Sequence, residues 1–262
     1  DRMRALEATG VLPFGAAGRL VLRQIEDEVR AIAERVRVLR HHAWQGRPGD
    51  PPAHPDPIPV SLRLHGLDLS GQLDLVYDDR RIAYSASKLR AKAIVGLWVR
   101  HLALAAALKR PVWSHMVAQD RVATLLPIAP ARARELLYRL CERYLDAHRR
   151  PLLLFPGTSM AWLEHRATLG QWPPAPGAPN APSGDVASEA RDEWKKRYEG
   201  RDIGESTDRY VALLFGDQED DFPFGDTAFA DLAEELFGPL FLTPDGRPTA
   251  HDDGPILVRE EL

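Results

Sequence analysis

The chain has 262 residues, 44% hydrophobic and 27% charged, which allows a sizeable buried core and excludes a disordered or fibrous class. Its formal net charge of −4 conceals an asymmetry: residues 1–184 hold 26 Lys and Arg against 17 Asp and Glu, residues 185–262 hold 8 against 21. A lone cysteine, Cys141, excludes an internal disulfide framework and fits a reducing compartment, so a cytoplasmic location is expected.

From Gly18 the stretch GRLVLRQIEDEVRAIAERVRVL repeats Leu22, Ile25, Val29, Ile32 and Val36 at helical spacing and predicts an amphipathic helix. HHAWQGRPGDPPAHPDPIP reads as an exposed Pro-rich loop containing His41, His42 and His54. VSLRLHGLDL alternates as one strand, bent or bulged near Gly66. Gln72–Tyr77 and Arg81–Ser85 read as a pair of strands around an Asp78-Asp79 turn. A second long helix follows, with Ser87 as its N-cap. PVWSHMVAQDRVATLLPI predicts a hairpin turning near Gln119-Asp120, APARARELLYRLCERYLDAHRR a third helix, PLLLF a short buried strand, and Thr158–Arg166 a fourth helix. Trp98, Tyr138 and Trp162 fall at apolar helical positions and are assigned to the core.

QWPPAPGAPNAPSGD, with five prolines and two glycines, marks residues 171–185 as a flexible connector. Beyond it a helix around Ala187–Tyr198, the apolar segment RYVALLFG and a helix from Thr227 to Phe237 make residues 186–262 an acidic, helical C-terminal extension. The whole, 1–262, reads as a single domain whose core of helix, three strands, helix and hairpin occupies residues 15–126. That order indicates a mixed α/β fold of the α+β type, a mixed sheet flanked by helices, rather than a doubly wound parallel sheet. No apolar run approaches the roughly 20 residues that span a bilayer, so no membrane partner is expected. The chain opens on Asp1 with no charged-then-apolar leader, as a piece of a larger polypeptide does.

Helix, β-meander, helix, strand is also the core order of the PD-(D/E)XK nucleases. That chemistry needs an Asp on the second strand, then an acid and a lysine two residues apart on the third, converging on a divalent metal that activates water. Asp74 stands at the first position. Residues i and i+2 of a strand share a face, so with Ile82 and Tyr84 toward the core, Ala83 and Ser85 occupy the acid and lysine positions. Neither side chain can bind a metal or supply charge. Catalytic residues are therefore expected to be absent, with Asp74, Ala83 and Ser85 marking a vestigial site. The alternative is an active metal-dependent nuclease using Asp74 with a carboxylate from elsewhere, such as Asp68 or Asp78. The histidines lack partner cysteines for zinc. FGAAGR lacks the lysine and spacing of a phosphate loop, so ATP is not expected to bind. Lys88, Arg90 and Lys92 open the second helix, where cations oppose the helix dipole and phosphate contact could offset the cost; they are the candidate DNA-contacting residues.

Several stretches carry a resemblance: GVLPFGAAG, LSGQLDLV, RIAYSASK, LWVRHLALAA, PLLLFPGTSMAWL, EARDEWKKRYEG, DRYVALLF and FGPLF. In this order the chain resembles the C-terminal nuclease-like domain of the RecC family, the gamma chain of exodeoxyribonuclease V (RecBCD). The resemblance implies a degenerate PD-(D/E)XK fold with additional C-terminal helices. It implies a non-catalytic scaffold that guides duplex and single-stranded DNA near the fork and docks RecD, with RecB and RecD as partners in double-strand break repair and recombination. Magnesium and ATP would then be used by partner subunits, with no cofactor in this domain. The RecB-type acid and lysine are replaced by Ala83 and Ser85 around the retained aromatic Tyr84, while Asp74 stays acidic.

Overall fold

Two apolar sheet faces need covers, and the order of the elements supplies them. The computed structural model describes residues 9–174, 184–198, 200–215, 223–224, 227–244, 246 and 255–261. Helix α1 (Ala16–Ala43) buries Ile32, Val36 and Ala43 against Tyr77, Ile82, Val117 and Val122. Ile25 and Val29 continue the stripe but remain exposed, so only the second half of α1 is a sheet cover. It also runs further than the apolar pattern: His41 and His42 lie in its last turn, not in the Pro-rich loop, and the Arg40 guanidinium in the same turn complements the carbonyl end of the helix.

Strands β1 (Ile58–Leu64) and β2 (Leu67–Leu73) form a separate antiparallel hairpin. The expected single bent strand is thus two strands, because His65 and Gly66 both take positive φ (46° and 91°), as the tightest two-residue hairpin turns require. Leu75, with φ 56°, ends the ladder before β3 (Val76–Tyr77), which pairs with β4 (Arg80–Tyr84). Helix α2 (Ala91–Leu108) then crosses over, so that β5 (Trp113–Val117) runs parallel to β4 and β6 (Arg121–Leu125) returns antiparallel. By length and composition α2 could cross a membrane; in this structure it lies at the centre of the core, with Leu97, Trp98, Leu102 and Leu104 buried. Its start differs from expectation. Arg90 is the N-cap and makes no side-chain cap bond, while Ser87 lies upstream and donates its N–H to Ser85 Oγ at 3.2 Å.

Helices α3 (Pro130–Ala147) and α4 (Pro156–Thr168) pack beside α2 with Ala133, Leu136, Leu137, Met160, Trp162 and Leu163 buried. Pro151–Phe155, expected as a strand, has no ladder partner; the Phe155 ring instead meets Trp194 edge-on and stacks against Phe229. Residues 175–183 of the connector fall outside the described residues. Helix α5 (Gly184–Trp194) stops short of Tyr198 because β7 (Arg197–Tyr198) pairs with β8 (Arg201–Asp202). RYVALLF is a helix, α6 (Arg209–Phe215), and α7 (Thr227–Phe237) buries Phe229, Ala233, Leu236 and Phe237 in the same core as β1, β2 and α2. The acidic part is not helical throughout. Its last strand, β9 (Leu257–Glu261), pairs with β6 and completes a five-stranded mixed sheet in the order β3-β4-β5-β6-β9.

Candidate functional site

Asp74 does not sit within a strand. It falls between the end of β2 and the positive-φ Leu75, at the junction of the hairpin and the main sheet. Its Oδ1 accepts a hydrogen bond from Arg81 Nη2 at 3.1 Å. The ion pair is lopsided: the Asp74 side chain is 67% exposed, the Arg81 side chain 6%. Burial pulls the Arg81 guanidinium below its ordinary pKa, Asp74 opposes that pull, and the nearby charge of Arg100 adds to it. Arg81 Nε is buried without a partner, so Asp74 is the anion that makes this buried cation tolerable.

On β4, Arg81 and Ala83 share the face turned away from α1, and Ile82 the face toward it. Tyr84 was expected in the core beside Ile82, but at the end of β4, opposite Val117, its side chain is 52% exposed. Ala83 is buried opposite Met116 of β5. The Ser85 N–H donates to the Val117 carbonyl at 2.9 Å, and its hydroxyl accepts from Ser87, so Ser85 ends the strand pairing and starts a turn. Behind Arg81, its ladder neighbour Ser114 is fully buried and shares a 3.0 Å hydrogen bond with His101 Nδ1. His115, on the opposite face, shares one of 3.0 Å with Thr124 Oγ1. Burial pushes His101 down to about 3, with a smaller push from His115, and pushes His115 down to about 4, with help from the Arg80 charge.

Magnesium requires several oxygen ligands in octahedral array. Among the described residues no group of three or more His, Cys, Asp or Glu is placed to hold a metal ion. The other carboxylates considered are engaged as well. Asp68 lies 3.7 Å from Arg63, and Asp78 bridges Arg47 (2.8 Å) and Arg110 (3.0 Å) at the β3–β4 turn. Those two arginines help to hold the Asp78 carboxyl below its ordinary value against the opposing effect of burial. Among the described residues, those around Asp74 do not fit a catalytic metal.

Lys88 and Arg90 lie exposed in the segment before α2, and Lys92 is exposed in its first turn. This segment is pinned: the Leu89 N–H donates to Asp120 Oδ1 at 2.7 Å and the Gln119 N–H to the Ser87 carbonyl at 3.1 Å. The β5–β6 turn therefore fixes where the three cations stand. Arg81 is absent from the sequence-based site, although the alternation that joins Ala83 to Ser85 extends back to it.

Opposite charges along the chain meet in space. Glu260 pairs with Arg35, Glu235 with Arg143 and Glu234 with Arg166, while the Glu205 carboxylate accepts N–H bonds from Gly157 and Thr158 at the start of α4. Part of the acidic C-terminal charge is thus neutralised within the molecule, and it anchors the C-terminal elements to the basic body.

With this geometry in place, the comparisons with known proteins give one consistent result. The family model described as the RecC C-terminal domain matches residues 1–167. Over 161 residues, 62% of this chain, the sequence is 27% identical to the RecBCD enzyme subunit RecC of Escherichia coli (strain K12). That match spans 13% of the relative's own length.

Proposed function

The chain belongs to the RecC C-terminal domain family, and from that premise we propose that it is a non-catalytic scaffold and DNA-guiding domain of a RecBCD-type helicase–nuclease acting in double-strand break repair. Its fold is a degenerate PD-(D/E)XK core whose active-site face serves structure instead of hydrolysis. RecB and RecD are the partner subunits, RecD docks on this domain, and DNA passes near the segment that carries Lys88, Arg90 and Lys92. ATP and magnesium act in the partner subunits, in the cytoplasm.

One observation carries the non-catalytic reading: Asp74 is the counter-ion of the buried Arg81. A guanidinium stands beside the one retained acid, and the two neighbouring positions are Ala83 and Ser85. A lone carboxylate holds magnesium weakly, and one bonded to an arginine holds it more weakly still. The charge balance of residues 1–184 favours phosphate contact without sequence preference, since such binding comes from cations and the counterions they release.

The test is cleavage of single-stranded and duplex DNA by the purified chain with magnesium or manganese. No cleavage above a metal-free control is expected. Metal-dependent cleavage that vanishes in Asp74→Ala establishes the rival, an active nuclease built on Asp74. For docking, immobilised chain should retain purified RecD; a complete failure to do so, where a full-length RecC chain succeeds, removes that part of the reading.

A further inference from the structure

Lys92, Gly96 and Arg100 recur every four residues on α2 and therefore share one stripe of the helix. Lys92 and Arg100 are exposed and Gly96 is half-buried. Eight residues at a rise of 1.5 Å set the two cations about 12 Å apart along the axis. A strand of B-form DNA rises about 3.4 Å per nucleotide, so that span corresponds to roughly three or four nucleotides.

The stripe differs from an ordinary solvated helix face. Such faces interleave acids with bases, as α1 does through Asp27 with Arg30 and Glu34 with Arg37. Helix α2 contains no acidic residue at all. Neither Lys92 nor Arg100 has an ion-pair partner among the described residues, and the nearby carboxylate, Asp74, already serves Arg81. The positive charge of the two side chains is therefore uncompensated among the described residues, and that of Arg100 reaches the buried Arg81.

Gly96 shapes the space between the two cations. A Cβ at this position would stand 3.0 Å from Arg100 Nη1. That nitrogen donates to the Gly96 carbonyl at 2.9 Å, which lays the guanidinium along the helix over the glycine and leaves its other N–H groups without a protein acceptor among the described residues. An oriented guanidinium edge with open donors suits a phosphate oxygen.

We propose that Lys92, Gly96 and Arg100 form a phosphate track, in which the backbone of a DNA strand runs along α2 and contacts Lys92 at one end and Arg100 at the other. The inference rests on the DNA-guiding reading above and deepens it by naming the surface and adding Arg100 as a contact residue.

The test is salt-dependent binding of a fluorescein-labelled oligo-dT strand by the 262-residue chain, followed by fluorescence anisotropy. Each phosphate contact on a single strand contributes about 0.7 to the slope of log K against log salt. Lys92→Ala with Arg100→Ala should weaken binding and flatten the slope by about 1.4. Arg149→Ala with Arg150→Ala removes the same charge from two exposed arginines after α3 and should leave the slope unchanged. Circular dichroism melts of both variants check that each remains folded. A slope unaltered in the first variant, or lowered equally in both, overturns the track while the DNA-guiding reading stands. Absence of binding by the unaltered chain overturns both.

Discussion

If Asp74 exists to balance Arg81, its removal should be felt in stability and not in metal response. In Asp74→Ala the guanidinium stays buried with no anion beside it, its side chain only 6% exposed. Breaking a fully buried pair from one side costs about 3–5 kcal/mol, whereas exposed pairs are worth about 0.2–1 kcal/mol. Here one partner is buried and the other faces water, which places the expected loss at about 1–2 kcal/mol, or a few degrees in melting temperature for a chain this long. Arg81→Met removes the cation while keeping apolar volume. Adding Asp74→Ala to it should then cost almost nothing, leaving a coupling of about 1–2 kcal/mol in a double-mutant cycle. Urea unfolding of the four proteins gives the cycle, and repeating it with magnesium chloride tests the metal. The reasoning fails if Asp74→Ala is neutral in stability yet abolishes a rise in melting temperature that magnesium gives the unaltered chain.

Two further perturbations probe the scaffold around this site. His101 and His115 are held neutral when folded, at about 3 and about 4, against 6.5 for an ordinary histidine. Below pH 6.5 the unfolded chain takes up protons that the folded chain refuses, so stability falls with falling pH, down to about pH 4 for His115 and about pH 3 for His101. From pH 7 to 5.5 the two together should remove about 2–3 kcal/mol, read as a lower urea midpoint, and His115→Gln should roughly halve that pH dependence. An unchanged midpoint across this range counts against neutral burial of both rings. Asp78→Ala should release Arg47 and Arg110 together and lower stability by about 1 kcal/mol, with faster amide exchange in the β3–β4 turn and residues 44–50. Exchange unchanged in both segments would show that the carboxylate clips nothing.

Elements with strong local periodicity were legible before any coordinates: α1, α2, α3, the β5–β6 hairpin and α7 stand where the apolar spacing puts them. The misreadings have two causes, an unmarked local turn and a decisive partner that lies far away in the chain. His65-Gly66 lacks the Asn-Gly or Asp-Gly pair that marks the tightest turns, so β1 and β2 merge on inspection into one bent strand. Leu152–Phe155 is apolar because Phe155 meets Trp194 and Phe229, contacts that make a buried segment without making a strand. Helix α2 starts at Ala91 because the residues before it are held by Gln119 and Asp120 of another turn. At the candidate site alternation puts Ala83 on the strand face it shares with Arg81, whereas Asp74 and Ser85, expected on strands, lie just outside β2 and β4. The lopsided burial of the Asp74–Arg81 pair could not be read from alternation, since it depends on β4 pairing along β5, which is remote in the chain and sets Arg81 beside the buried Ser114.

The five residues of β9 carry a practical warning for anyone trimming this protein. The family match ends at residue 167, yet the outer hydrogen-bonding row of β6, the one not taken by β5, is paired by Leu257–Glu261. A clone stopped at the family boundary would present Arg121–Leu125 as an open ladder beside an uncovered apolar layer, the kind of surface through which proteins self-associate.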